Sequence, residues 1–322
     1  MKKIFSLSVL LLAAMLLFVA CGDSGTASEV EAANTDEVEA VDNESDLEDG
    51  EESSELDRAD WPEVIRFAVT GLEGMEELQR NHEPFRLLLE EKMGVEFEFF
   101  ALSSRIVSAT AMQFDQVDII LAGPSEYVQI KYETPEVEIL AAMERLHYHT
   151  AFIVPMDSPL QSLEDLVGGT IGMGSIGSTS RHIGPSAVLI EEGFDLDSDF
   201  TIHNLGTSGS IEALRNGEVD AIAGGIRDFW TMEEEDGEGV WRILLEGPQL
   251  PQDPFVANPN LPESFRAEFS RILLTYSDEL LASMLSAEGD DVTKYEGAEI
   301  VMVDDSYFES LREAYRVLGL EL

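Results

Sequence analysis

Residues 174–186 read GSIGSTSRHIGPS and contain no acid, in a chain of 65 acidic and 19 basic residues. Gly177 leads into three consecutive hydroxyls, Ser178, Thr179 and Ser180, followed by Arg181 and His182. The preceding TIGMG (170–174) reads as a strand, so the hydroxyl run falls at a cap and the first helical turn. There the backbone N–H groups lack intrahelical acceptors, and the helix dipole places its positive end. Anions settle at such termini. Side-chain hydroxyls add neutral donors, and Gly177 lets the backbone come close to a bound group. Capping alone needs one Ser or Thr, so three in succession point to anion binding.

Three other turns at predicted strand ends could face the same ligand. In AGPSEYV (122–128), Pro124 and Glu126 are ordinary helix-starting chemistry. Ser125 and Tyr127 add hydroxyl donors. In GGIRDFW (224–230), Arg227 either clamps an oxyanion with its planar fork or pairs with Asp228, beside the bulky Phe229 and Trp230. In TGLEGMEE (70–77), Thr70 and Gly71 complete the set. Catalytic alternatives are thin. His82, His147, His149, His182 and His203 lack metal-site spacing on a helix, and HYH (147–149) has no evident third ligand. No G-x-S-x-G elbow or phosphate-loop lysine occurs. The sequence therefore predicts no metal, no cofactor and no enzyme activity.

The elements that must present these turns alternate. Strands are predicted at VIRFAVT (64–70), VEFEFFAL (95–102), VDIILAG (117–123), HTAFIVP (149–155), 170–174, FTIHNLG (200–206) and VDAIAGG (219–225), with helical segments between them. This order argues for an α/β architecture with mainly parallel sheets flanked by helices. Ligands of such sheets bind beyond the carboxyl ends of the strands. The unit occurs twice, which implies two lobes with a cleft between them. Lobe I is assigned 61–146 plus 240–322, and lobe II 147–239. Crossing segments are expected near 144–149 and 226–240, acting as hinges. Residues 262–285 and 304–319 have helical period and should return to the first lobe.

The amino-terminal region is of another kind. MKK followed by IFSLSVLLLAAMLLFVA has the charged start, apolar run and small-residue ending of a secretory signal peptide over residues 1–20. It stops at Cys21, the single cysteine, so no intramolecular disulfide can form. Residues 21–60 are rich in acid and serine, with too little apolar area to fold; they read as an extended tether. Residues 23–60 hold 16 of the 65 acids, leaving 49 for the rest of the chain. A net charge of −46 excludes nucleic acid as a partner and disfavours adhesion to anionic lipid. Self-repulsion of that size is tolerable where salt screens it, because the Debye length falls to about 3 Å at 1 M. A high-salt, halophilic source is expected, against the plainer alternative of an acidic secreted protein.

Phe18-Val19-Ala20-Cys21 resembles the lipobox of bacterial lipoproteins, which implies acylation of Cys21, membrane attachment through the lipid, and an extracytoplasmic site. The body resembles the substrate-binding proteins of phosphate, phosphite and phosphonate ABC importers. The resemblance rests on Asp165-Leu166-Val167-Gly168, on Ser178-Thr179-Ser180 with Pro185 five residues beyond, and on NGEVDA (216–221). It implies a two-lobed type II periplasmic-binding-protein fold and a monomer that delivers a small oxyanion to a membrane permease. In the family the hydroxyls matching Ser178, Thr179 and Ser180 hold the oxyanion, joined by a tyrosine that matches Tyr127. The chain departs from the pattern at Arg181, where glycine is common, and Arg181 either adds charge to the site or points outward. It also lacks a family histidine before the IEAL helix, where Thr207 or Ser208 could stand in. An aminophosphonate would need carboxylates, for which Glu126 and Asp228 are candidates. A sensor lipoprotein without transport, and an enzyme on the same fold, are the alternative readings.

Overall fold

A computed structural model describes residues 58–320 apart from 73 and 290. The signal peptide, Cys21 and nearly all of the acidic tether lie outside the described residues.

The chain begins as expected. Strand β1 (Val64–Val69) leads to helix α1 (Met75–Met93), then β2 (Glu96–Phe99), α2 (Val107–Gln113), β3 (Ile119–Leu121) and α3 (Pro124–Glu133). Helix α1 forms because Leu78, His82, Phe85, Leu89 and Met93 recur every three or four residues and make one buried face. It stops at Gly94, whose φ of 66° is the left-handed conformation that glycine adopts cheaply. β2 and β3 pair parallel on either side of β1. After β4 (Glu138–Glu144) the chain passes through residues 145–148 into a second sheet.

That sheet comprises β5 (His149–Pro155), β6 (Thr170–Met173), β7 (Thr201–Asn204), β8 (Ala221–Gly225) and β9 (Trp241–Gln249), in the order β7-β6-β8-β5-β9. Helices α4 (Gly184–Glu191), α5 (Gly206–Arg215) and α6 (Ile226–Asp236) connect its strands. The chain then returns through residues 250–252. β10 (Asp253–Ala257) and β11 (Glu299–Val301) join the first sheet, whose order is β11-β4-β10-β3-β1-β2. Helices α7 (Glu263–Thr275), α8 (Ser277–Leu285) and α9 (Glu309–Val317) finish the chain.

Two sheets flanked by helices agree with the sequence, with two refinements. The sheets are mixed. The β–α–β units are parallel, as in β6 with β7 and β8, whereas β10 runs antiparallel between β3 and β4, and β5 antiparallel between β8 and β9. Parallel pairing needs a crossover helix between strands, and β4, β5, β9 and β10 enter where the chain changes sheets without one. The second refinement corrects the lobe boundary. Residues 241–249, assigned above to lobe I, pair with β5 in the second sheet, so the return crossing is 250–252. Residues 226–236 are helix, not a crossing. β4 and β10 escape sequence reading because EILAAME is alanine-rich and DPFVA is bracketed by prolines, neither being a strand signature.

The first core packs Phe67, Phe85, Phe255 and Phe269 between sheet and helices, with the Phe85 and Phe255 rings stacked at 5.9 Å. The second sheet is buried around Phe152, Val154, Ile171 and Met173. Ile183 and Ala187 of the second half reach across to Tyr127, Phe308 and Tyr315 of the first. The carboxyl ends of β1, β3, β6 and β8 thereby converge on one cavity.

Candidate functional site: a cationic cavity between the sheets

The cavity has a volume of about 260 Å³. Each sheet contributes the same local device to its wall. On the first, β3 ends at Gly123 and α3 starts with Pro124, which puts Glu126 in the first turn. A side chain at position 123 would collide with the Glu126 carboxylate, so the glycine is what admits that group. Glu126 is almost fully buried and accepts from Arg105 Nη1 at 2.5 Å. On the second, β8 ends at Gly224-Gly225 and α6 begins with Asp228 in its first turn. A Cβ at Gly224 would lie 2.6 Å from Asp228 Oδ2. Asp228 accepts from the Gly225 N–H at 2.8 Å, capping α6, and takes the Arg181 fork through Nε at 2.8 Å and Nη2 at 2.7 Å. A glycine at the strand end thus makes room for a carboxylate, which holds an arginine in the cavity wall.

The hydroxyl turn is shaped by the residues after it. Residues 179–183 form a π-helical turn, not the ordinary α-helical start expected, and α4 follows only at Gly184. The His182 and Ile183 N–H groups both donate to the Ser178 carbonyl, at 3.0 and 2.9 Å. Pro185 has no N–H to offer the Arg181 carbonyl, which instead accepts from Gly174 N–H at 2.9 Å. The widened turn leaves the N–H groups of Thr179, Ser180 and Arg181 ahead of any intrahelical acceptor. Ser178, Thr179 and Ser180 are buried and line the cavity. Facing them is Thr70, whose Oγ1 accepts from Gly123 N–H at 2.7 Å.

The remaining predicted residues separate into several places. Arg181 and Asp228 line the cavity as a pair, so Arg181 does not point outward. Arg227 also lines it, but donates to Thr293 Oγ1 at 3.0 Å and does not pair with Asp228. Gly71 (φ 89°) lies against the Arg105 guanidinium. Ser125 is behind the wall, where its N–H donates to Thr179 Oγ1 at 3.1 Å and its hydroxyl to the Gly177 carbonyl at 2.6 Å, tying α3 to the hydroxyl turn. Tyr127 does not line the cavity; it donates to Asp305 at 2.5 Å and packs on Phe308. Thr207 and Ser208 are exposed in the first turn of α5, away from the lining. Phe229 packs against a buried cluster of Ile153, Ile222 and Met232, while Trp230 meets His147 edge-on at 5.3 Å near the cavity mouth. His149 sits against the Gly247 carbonyl, His182 accepts from Gly177 N–H, and His203 is exposed.

Sequence reasoning missed the other half of the wall, Arg105, Arg145, Tyr148, Asp253, Asp291, Lys294 and Tyr295, and weighed His147 there only as a metal ligand. Arg145 binds Asp253 at 2.8 Å and lies over the Tyr148 ring at 3.2 Å, while Tyr295 donates to the same carboxylate at 2.8 Å. Lys294 holds Asp291 at 2.7 Å. Scarcity was the signal available. The chain has 14 arginines and five lysines, yet four of those arginines and one lysine line this single cavity. Three carboxylates line it with them and Glu126 pairs with Arg105 just behind the lining, so the wall carries a formal +1 in a molecule of net −46.

The ionisation states hold this balance. Burial opposes the charge on Arg181, but the facing Asp228 carboxylate outweighs it and keeps the guanidinium above its usual pKa. Arg145 is held up in the same way by Asp253. Burial would raise Asp291, yet Lys294 pulls it below the ordinary carboxylate range. Arranged this way, the cavity can bind an anion through N–H groups, hydroxyls and fixed cations.

Comparison with known proteins places this geometry. Residues 67–306 match the family described as ABC transporter, phosphonate, periplasmic substrate-binding protein. The chain is 25% identical over 224 residues to the phosphonates-binding periplasmic protein of Escherichia coli, covering 66% of each chain. It is 27% identical over 175 residues to the phosphate-import protein PhnD of Mycolicibacterium smegmatis, covering 50% of this chain and 54% of that one. The matches thus span just under two thirds and about half of those relatives. Among solved structures, a binding-protein component of an ABC phosphonate transporter from Pseudomonas aeruginosa superposes with a TM-score of 0.63 at 22% identity, over 79% of this chain and 86% of that one. PhnD1 of Prochlorococcus marinus, solved with methylphosphonate, gives 0.65 at 18% identity, over 80% of this chain and 99% of that one. At such identities these structures establish the fold: two lobes with a cleft between them.

Proposed function

Because this chain belongs to the periplasmic substrate-binding proteins of phosphonate ABC transporters, we propose that it captures a small phosphorus oxyanion (phosphite, phosphate or a phosphonate) and delivers it to a membrane permease. The observation that carries this reading is a cavity lined by Ser178, Thr179 and Ser180 together with five cations, carrying a formal +1 once Glu126 is counted, in a molecule of net −46. Long-range charge repels an anion from such a surface, so capture depends on local donors and fixed cations. The turn supplies N–H groups and hydroxyls to three oxygens, and Arg181 and Arg105 balance the charge from either side. Thr70 and Thr179 sit on opposite sheets, and closure of the lobes about 145–148 and 250–252 brings their hydroxyls to one ligand.

The protein acts by binding and release, without turnover. Cleavage before Cys21 and acylation there would anchor it outside the cell membrane, with residues 22–60 as a solvated tether and the body working as a monomer. Its acidity is an adaptation to high salt. Titration calorimetry with phosphate, phosphite and methylphosphonate, with glutamate as control, tests the ligand class. We expect micromolar or tighter binding of at least one phosphorus oxyanion, reduced at least tenfold in Ser180→Ala. Heat with glutamate and with none of the phosphorus compounds would overturn it.

A further inference from the structure

The cavity is larger than one tetrahedral oxyanion requires. At about 30 Å³ per water-sized group, a five-atom oxyanion occupies at most on the order of 150 Å³, against about 260 Å³ available. The surplus leads towards the mouth, where His147, Arg227, Thr231 and Lys294 also line an adjoining vestibule of about 300 Å³. The cations are not equivalent along this path. Arg105, Arg145 and Arg181 are each matched by a buried carboxylate, Glu126, Asp253 and Asp228 respectively. Arg227 has no carboxylate within ion-pair distance among the described residues and donates only to a hydroxyl. Beside it Lys294 shares Asp291. Among the described residues, Arg227 is thus the cavity-lining cation without a carboxylate partner, and it stands with Lys294 where the cavity meets the vestibule.

Resting on the oxyanion reading above, we propose that the ligand carries two anionic groups: a phosphorus head at Ser178–Ser180 and a second acid, such as a carboxylate, held by Arg227 and Lys294. The planar fork of Arg227 suits a carboxylate or a second phosphoryl group. The same wall disfavours an ammonium in the cavity, because Asp228, Asp253 and Asp291 already accept from cations of the protein. The exposed Glu234 and Glu296 line the same vestibule, so the second acid must sit on the Arg227 and Lys294 side of it.

Calorimetry with methylphosphonate, phosphonoacetate and 2-aminoethylphosphonate separates the possibilities, using the intact protein and an Arg227→Gln/Lys294→Gln variant. Phosphonoacetate should bind at least tenfold more tightly than methylphosphonate, and 2-aminoethylphosphonate no more tightly than methylphosphonate. The double variant should lose at least tenfold more affinity for phosphonoacetate than for methylphosphonate. If methylphosphonate or the amine binds as tightly as phosphonoacetate to the intact protein, the two-anion proposal fails while the oxyanion reading stands. Equal losses for both ligands in the variant also overturn it. Absence of binding by all three compounds overturns the two-anion proposal, and the oxyanion reading falls with it only if phosphate and phosphite also give no heat.

Discussion

Arg181 and Asp228 form the interaction whose removal should have opposite consequences for stability and for binding. Asp228 keeps 8% of its side-chain exposure and Arg181 28%, and the two share a two-pronged contact at 2.7 and 2.8 Å. Removing one partner of a buried pair costs about 3–5 kcal/mol; the remaining exposure of Arg181 lowers that to about 2 kcal/mol. Asp228→Ala also leaves the Gly225 N–H without its cap, adding about 1 kcal/mol. We therefore expect Asp228→Ala to destabilise by about 3 kcal/mol, Arg181→Ala by about 2, and the double variant by about 3, a coupling near 2 kcal/mol. Binding should divide differently. Arg181→Ala leaves a bare carboxylate in the wall and should weaken phosphate about a hundredfold, whereas Asp228→Ala exposes an unpaired guanidinium and should hold or improve affinity. Urea denaturation of the four proteins gives the coupling, and calorimetry the affinities. Additivity within about 0.5 kcal/mol, or equal loss of phosphate affinity in the two single variants, would refute the reasoning.

Three further outcomes are expected. Burial, with Lys294 nearby, lowers the pKa of His82 to about 4, and neither ring nitrogen has a hydrogen-bond partner among the described residues. The unfolded chain then binds one more proton between pH 6.5 and 4, so stability is full above that window and falls by up to about 3 kcal/mol as pH drops through it; His82→Leu should flatten the urea midpoint against pH there. Gly224→Ala should push the Asp228 carboxylate off its cap and its arginine, costing about 1–2 kcal/mol by the same denaturation assay. The melting temperature should rise steadily from millimolar to molar salt as the charge of −46 is screened, and a flat profile would remove the high-salt reading.

The sequence by itself determined what local chemistry can express. Alternating short apolar strands and helices gave the two α/β units, because strand and helix periods differ and turns punctuate them. The acid-free run at 174–186 and the turn at Thr70 marked cavity residues, because strand ends in such sheets face the ligand. Only the tertiary structure decided the rest. Which sheet β9 joins depends on its pairing with β5, to which the residues of β9 carry no local pointer. Tyr127 and Ser125 hold suitable hydroxyls, yet Asp305 and the Gly177 carbonyl, 178 and 52 residues away, take them. Arg145 meets Asp253 108 residues later, and Arg181 meets Asp228 across 47. Charge balance in a cavity is a property of groups brought together through space, and one-dimensional order does not record which carboxylate answers which arginine.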